Sequence, residues 1–488
     1  MSSGQQETVA RAKGPDQTTA DAHDRCAIVA CVSGSFRRGL VALTLAGLVV
    51  RLLFLVLEPA TSPVADERMW TAWGTEVLPS EKIGFSPLRL RFIFHPPVYP
   101  YFVGVLFALF GTLTAVKIAQ CVLGALLVPA AGRIGQHAFG ERAGLAAAGI
   151  TAFYPELVWF SVHFWAETVF AVLLWWGFER LFEADTRESL GVTAAAGVLF
   201  GVAVLTRETV LYFLPVAALW LGWRRGGGGR RAAVLLVTSL VVILPWTLRN
   251  WMVFQTFVPV STAGAMNLWQ GNTHMSRQEV YEEYWAVRGR VQKYQYTREK
   301  AIEAILDRQP LWLFEKIRDE MPQYWAAHGQ PIVHIERGAY GNVPRSRALV
   351  AIVVVLAPYL AVLGLFVVGI AALPVRRSVV LLLAFLLFYV MLHVAAHGYP
   401  RYRLPSLPVL FLVAGQGWAF LSTRPRPLLG PRRLFSAAAV GLALVLSVGP
   451  SLLTWVSEPW PPEWARNAKE ETLPAAPPSE NPSDPGVQ

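Results

Sequence analysis

Charge is scarce in this chain: only 16% of its 488 residues are Asp, Glu, Lys or Arg, where a soluble domain carries about a quarter. By contrast 54% are hydrophobic, and apolar stretches of about 20 residues, enough to cross about 30 Å of hydrocarbon, recur along the chain. Together these exclude a soluble globular core. Cysteine is scarcer still. Cys26, Cys31 and Cys121 are the three present, and their spacing supports neither a disulfide framework nor a zinc site. Residues 1–36 are polar and too long before the first apolar run for a cleaved signal peptide, so they read as a disordered cytoplasmic arm. Acidic residues are outnumbered, leaving a net charge of +10. Most arginines sit in short loops between apolar segments, where they set topology, so nucleic acid is not an expected partner.

The apolar segments predict an all-α polytopic membrane protein with about eleven transmembrane helices. They lie near residues 39–57, 116–134, 143–160, 163–182, 190–206, 209–223, 232–248, 348–372, 378–397, 405–422 and 434–454. With the N-terminus inside, the short inner loops receive Arg133 and Arg142, then Arg180 and Arg187, then Arg224, Arg225, Arg230 and Arg231. Arg376 and Arg377, and finally Arg424, Arg426, Arg432 and Arg433, complete the positive-inside pattern. Val98 to Gly111 is short for a crossing, its start is broken by Pro96, Pro97 and Pro100, and it reads as interfacial or re-entrant.

Two long stretches then fall outside, 58–115 and 249–347. Within the second, Tyr281, Tyr284 and Trp285, then Ile302, Ile305 and Leu306, recur at helical spacing among charges, which predicts a small helical outer domain lying on the membrane. The expected organisation is an arm (1–36), an N-terminal transmembrane catalytic module (37–248) that includes interfacial helices in outer loop 58–115, the outer domain (249–347), a C-terminal transmembrane module (348–457) and a disordered outer tail (458–488). The expected setting is a bacterial inner membrane, with a cytoplasmic N-terminus and the chemistry on the extracytoplasmic face.

Several motifs occur in a set order. Ala65-Asp66-Glu67-Arg68 follows the first span, and Phe94-His95-Pro96-Pro97-Val98-Tyr99-Pro100-Tyr101 comes next. Leu205-Thr206-Arg207 lies between spans five and six. Pro245-Trp246-Thr247-Leu248-Arg249-Asn250 runs on through Phe257-Val258-Pro259-Val260-Ser261-Thr262 to Asn267-Leu268-Trp269-Gln270-Gly271-Asn272, and Arg401-Tyr402-Arg403-Leu404-Pro405 precedes span ten. In this order the chain resembles glycosyltransferase fold class C, specifically the protein O-mannosyltransferase and aminoarabinose transferase-like group. The resemblance is spread over most of residues 39–422. It implies transfer of a sugar from a polyprenyl-phosphate donor to a protein, lipid or glycan acceptor, within the bilayer's outer face. Related transferases often carry a second acid near the Pro-rich motif; here Phe94 and His95 stand there, and the nearest acid is Glu81.

Under that resemblance Asp66 is the expected base for the acceptor, since sugar transfer needs a group to take the nucleophile's proton. Glu67 is expected to orient the acceptor or a metal; the bland reading of both is a solvated acidic pair. His95 either donates to the donor phosphate or caps the chain beside two prolines. Arg207 is a phosphate ligand or one half of an anchor pair with Glu208. Arg249, Arg401 and Arg403 fall at outer helix ends, against the topological trend, and suit a phosphate site; the alternative is head-group contact. Tyr402 either joins that site or belongs to the interfacial aromatic belt. Glu167, Asn250 and Asn272 are secondary candidates, and Arg51, late in span one, is expected to snorkel to the outer interface. A divalent metal is compatible with this chemistry but not required by it, because a monophosphate leaving group can be stabilised by arginines. A transporter or flippase, or a polysaccharide polymerase or ligase, is the competing reading.

Overall fold

The computed structural model describes residues 33–58, 66–77, 94–223, 227–327, 329–336, 338–341, 343–423 and 430–457. The arm up to residue 32, the tail from 458, Glu81, Arg224, Arg225, Gly226, Arg424 and Arg426 lie outside them.

The described chain is helical throughout, a polytopic membrane fold. In order the α-helices are α1 (Gly34–Leu57), α2 (Asp66–Val77), α3 (Val98–Phe110), α4 (Thr114–Phe139), α5 (Glu141–Phe153), α6 (Pro155–Phe160), α7 (Glu167–Arg187), α8 (Leu190–Val204), α9 (Leu214–Gly222) and α10 (Gly228–Phe254). They continue as α11 (Ala263–Asn272), α12 (Arg277–Ala286), α13 (Arg290–Leu306), α14 (Trp312–Tyr324), α15 (Gln330–Glu336), α16 (Arg345–Ala371), α17 (Arg377–Ala396), α18 (Leu407–Ser422) and α19 (Pro431–Ser457). Among the described residues seven helices are long and apolar enough to cross a membrane, and Val98–Phe110, Leu190–Val204 and Glu208–Gly222 are shorter apolar ones.

Two expected spans are interrupted: the sixth, expected over 209–223, opens as a 3-10 turn (Glu208–Phe213) before α9. The third, expected over 143–160, divides at Tyr154, which is extended (φ −65°, ψ 119°) because the ring of Pro155 excludes the α region for the residue before it. Pro155 then occupies the first turn of α6, where its missing N–H costs nothing. The seventh and eleventh spans are each longer than hydropathy alone marks, since their polar ends continue the helix beyond the apolar run. Where helices touch, side chains give way to backbone. A Cβ on Gly369 of α16 would stand 2.0 Å from the carbonyl of Val413 in α18, and one on Gly417 would stand 2.2 Å from that of Leu365. Small residues of this kind let membrane helices approach closely.

Arg51 corrects one expectation. It does not snorkel but is fully buried, its guanidinium donating to the carbonyls of Gly47 (2.9 Å), Thr151 (3.3 Å) and Ala152 (3.0 Å) and to Ser161 Oγ (3.2 Å). Interior carbonyls offered by the helix ends around it compete better for the five donors than distant head groups do. Arg51→Met is expected to leave these acceptors unpaired at about 1–3 kcal/mol for each one not re-satisfied. Thermal unfolding in detergent should show a fall of several degrees, whereas a snorkelling arginine would leave the midpoint unchanged.

Candidate active site

The six-residue turn between α6 and α7, Ser161 to Ala166, is the floor of the site. It is buried, and its backbone polar groups are met by side chains of neighbouring helices. Gln120 of α4 donates to the carbonyl of His163 (2.7 Å) and accepts from Tyr99 of α3 (2.7 Å), while Arg51 reaches Ser161. The turn therefore presents Trp165 and the first residue of α7, Glu167, in fixed positions.

Around that floor stand four ionic side chains. Asp66, the first residue of α2, accepts from Arg401 Nη1 at 2.7 Å. The Arg401 guanidinium carbon lies 4.7 Å from the Trp165 ring centre and 5.1 Å from that of Tyr402. Arg207 stands 5.6 Å from the same Tyr402 ring and is paired through Nη1 with Glu167 at 2.5 Å. The result is a row of carboxylate, guanidinium, phenol ring, guanidinium and carboxylate, drawn from α2, α7, the turn before residue 208 and the 3-10 turn Pro400–Ser406. Glu208 is not Arg207's partner. It accepts instead from Ser261 Oγ at 2.8 Å, so the expected anchor pair gives way to one across 40 residues with Glu167.

Electrostatics at the row favour an anion. Burial raises the Asp66 carboxyl, but Arg401, with His95 and Arg277 behind it, outweighs that and holds its pKa below the ordinary range. His95 packs against Trp70 at 5.0 Å and is pushed down to about 4, by burial first and then by Arg207 and Arg401, so it is neutral at physiological pH. Arg277, at the start of α12 in the outer stretch, faces both Asp66 and Arg401 electrostatically. Three guanidiniums thus face two carboxylates, leaving room for one more negative charge.

Other predicted residues are placed elsewhere. Glu67 turns away from Asp66, as successive helical residues must. It is 2% exposed, accepts from the Phe164 N–H at 3.0 Å and lies 3.8 Å from His334 Nε2. It therefore pins the start of α2 to the floor. Arg403 points away from Arg401, because two steps of about 120° in a 3-10 turn leave the side chains about 120° apart. It donates to the carbonyl of Ala326, covers the Tyr359 ring at 4.3 Å and sits 3.8 Å from Glu156. Arg249 lies over Trp246 and Phe254 and donates to Asn250, whose amide in turn donates to the carbonyls of Val258 and Val260. Asn272 bonds Trp312 and the carbonyls of Leu268 and Ala395. These four hold loops rather than line the row. Trp165, Arg277 and the network Glu58–His163–Tyr340–Trp159 were not singled out by sequence: Glu58 accepts from Tyr340 (3.0 Å) and lies 3.0 Å from His163 Nε2, and Trp159 donates to Tyr340 (2.8 Å). Among the described residues no group of three or more His, Cys, Asp or Glu is arranged to hold a metal.

Residues 94–248, about a third of the chain, match the sequence model of the family described as dolichyl-phosphate-mannose-protein mannosyltransferase. Over that segment, which contains His95, Glu167 and Arg207, the chain is similar to the fold class C glycosyltransferases. No curated protein sequence matches the chain. Among solved structures, the apo Archaeoglobus fulgidus oligosaccharyltransferase is 13% identical with a TM-score of 0.46, covering 92% of this chain and 61% of its own. The same archaeal enzyme in complex with an inhibitory peptide and a dolichol-phosphate gives the same values. ArnT from Cupriavidus metallidurans bound to undecaprenyl phosphate is 18% identical with a TM-score of 0.39, covering 86% of this chain and 91% of its own. The chain thus spans about three-fifths of the archaeal enzyme's length.

Proposed function

We propose that the chain is a membrane glycosyltransferase that moves a sugar from a polyprenyl-phosphate donor to a protein, lipid or glycan nucleophile, with inversion. The observation that carries the reading is the Asp66–Arg401 pair at 2.7 Å, continued by Arg207 across the Tyr402 ring. A phosphodiester oxygen is a competitor for the same guanidinium, and a planar fork binds it bidentately. When donor phosphate takes Arg401, Asp66 loses the partner that lowers its basicity and becomes a better proton acceptor.

The reaction then balances without a further reagent. The acceptor's oxygen or nitrogen forms a bond to the anomeric carbon, and its proton goes to Asp66. The bond from that carbon to the phosphate oxygen breaks, the electron pair staying on polyprenyl monophosphate, where Arg401 and Arg207 meet the added charge. Neutral His95 is placed to give or accept a hydrogen bond without adding charge, and Trp165 and Tyr402 supply aromatic faces for the sugar and the guanidiniums. Glu67 acts through position, holding α2 so that Asp66 stays at the row.

The test uses purified protein in vesicles, a labelled polyprenyl-phosphate hexose, a membrane extract as acceptor source and no nucleotide. The expected result is label on acceptor with an equal yield of polyprenyl monophosphate. Movement of intact donor between leaflets with no transfer would favour the flippase reading instead, and extension of a preformed glycan alone would favour a polymerase.

We place the Asp66 face outside and the Arg-rich loops inside, with residues 249–347 as an outer acceptor-side domain, in a bacterial inner membrane. In a cysteine-free background, Gln278→Cys should react with an impermeant maleimide in intact cells, and Gly229→Cys only after lysis. The reverse labelling would invert the topology.

A further inference from the structure

A second feature lies at the far end of α7, the helix it shares with the row. The start of α1, the end of α4 and the end of α7 enclose a cleft of about 710 Å³. Glu167 at the head of α7 belongs to the row, while Glu179 and Glu183 near its end line the cleft. Twelve to sixteen residues at 1.5 Å each set the two sites about 20 Å apart or more along that helix. No part of the proposed chemistry uses the cleft.

Its wall is apolar: Phe36, Leu40, Ile134 and Phe182 are buried side chains that face it. Its mouth is apolar too. Val41 and Leu45 line it and are 59% and 57% exposed, on the early turns of a helix apolar enough to span a membrane, so the cleft opens sideways toward acyl chains. Its end is ionic. Glu179 is shared between Arg133 (2.7 Å) and Arg180, and Glu183 between Arg180 and Arg187 (3.0 Å). Three arginines therefore divide two carboxylates, and Arg37, exposed at the start of α1, lines the same end with no ion pair among the described residues. Four guanidiniums against two carboxylates leave a surplus positive charge where head groups lie, directly beside a slot open to acyl chains.

We propose that this cleft binds one anionic diacyl phospholipid, with the phosphate at Arg37 and Arg133 and an acyl chain along Phe36, Leu40 and Leu45. Basic pockets between transmembrane helices hold anionic head groups on this principle. A zwitterionic lipid offers the same chains but cancels the surplus, and a soluble anion offers the charge but leaves the apolar slot in contact with water. The proposal is independent of the glycosyltransferase reading, because none of its residues belongs to the row.

The test is native mass spectrometry of the full-length protein, delipidated in detergent and titrated with phosphatidylglycerol, phosphatidylcholine or undecaprenyl phosphate. Expected is one phosphatidylglycerol retained in preference to phosphatidylcholine. Arg37→Gln should weaken it about fivefold, the scale of one interfacial arginine, and Leu45→Trp, which fills the mouth, should abolish the preference. Arg37 is exposed at a helix start, so its variant folds even where the tryptophan does not. Equal retention of both phospholipids, no effect of Arg37→Gln, or displacement of phosphatidylglycerol by an equimolar amount of undecaprenyl phosphate would each overturn the assignment.

Discussion

Replacing Arg401 with Ala should cost about 2–4 kcal/mol of transition-state stabilisation, a loss of roughly 30- to 10³-fold in turnover, the scale of removing one preorganised donor to a developing anion. Arg401→Lys keeps the charge but not the planar fork that binds a phosphate bidentately, so it too should lower turnover well below wild type. Arg207, already paired with Glu167, should follow the same order with a smaller loss. Arg403 and Arg249 provide the internal control. Buried against Ala326 and Glu156, or against Trp246 and Asn250, their variants should lower the amount of folded protein more than the rate per folded molecule. Transfer rates at saturating acceptor, each normalised to protein in the membrane, separate the two classes. Wild-type rates for Arg401→Lys and Arg207→Lys together would reduce these arginines to head-group contacts.

Asp66→Asn should cut turnover by about 10²–10⁴, the usual contribution of a general base, with no loss of donor affinity, because a neutral amide competes less with the phosphate for Arg401. The pH dependence has a definite sign. Arg401 lowers the Asp66 pKa, so the free enzyme keeps its base ionised down to below about 3.9, the ordinary Asp value. In the wild type kcat/KM should therefore stay level through the neutral and mildly acidic range and fall only below it. With Arg401 removed, burial loses its main opponent, only His95 and Arg277 still acting against it, and the carboxyl rises, so the acid limb of kcat/KM should move to higher pH in Arg401→Ala. An unmoved limb would mean that another group sets it.

Part of this was legible in the sequence, for a physical reason: hydrocarbon tolerates only long apolar helices, so the all-helical membrane fold and the positions of its long apolar helices follow from hydropathy. Asp66 was marked by its motif and the need for a base, Arg207 by an ionisable group interrupting an apolar run, and Arg401 with Tyr402 by arginines placed against the topological trend; the structure brings these four together. Partners were not legible. The Glu167–Arg207 pair joins residues 40 positions apart, and nothing local distinguishes it from the Arg207–Glu208 neighbours. Arg401 and Arg403 look alike in the string Arg-Tyr-Arg, and only the 3-10 turn sends one to the row and the other into the core. Arg51 looked like an interface residue because hydropathy carries no record of the carbonyls that Thr151 and Ala152 turn toward it. Trp165 was hidden by its setting, one aromatic residue among several in an apolar run.

The central claim is a single displacement with one carboxylate base at Asp66, and the anomeric configuration of the product tests it most directly. Purified protein is given a polyprenyl-phosphate hexose of known configuration, and the linkage formed on the acceptor is read by NMR. One displacement predicts the opposite configuration to the donor in every product molecule. Retention would require a covalent sugar intermediate on a second nucleophile, and would contradict the account.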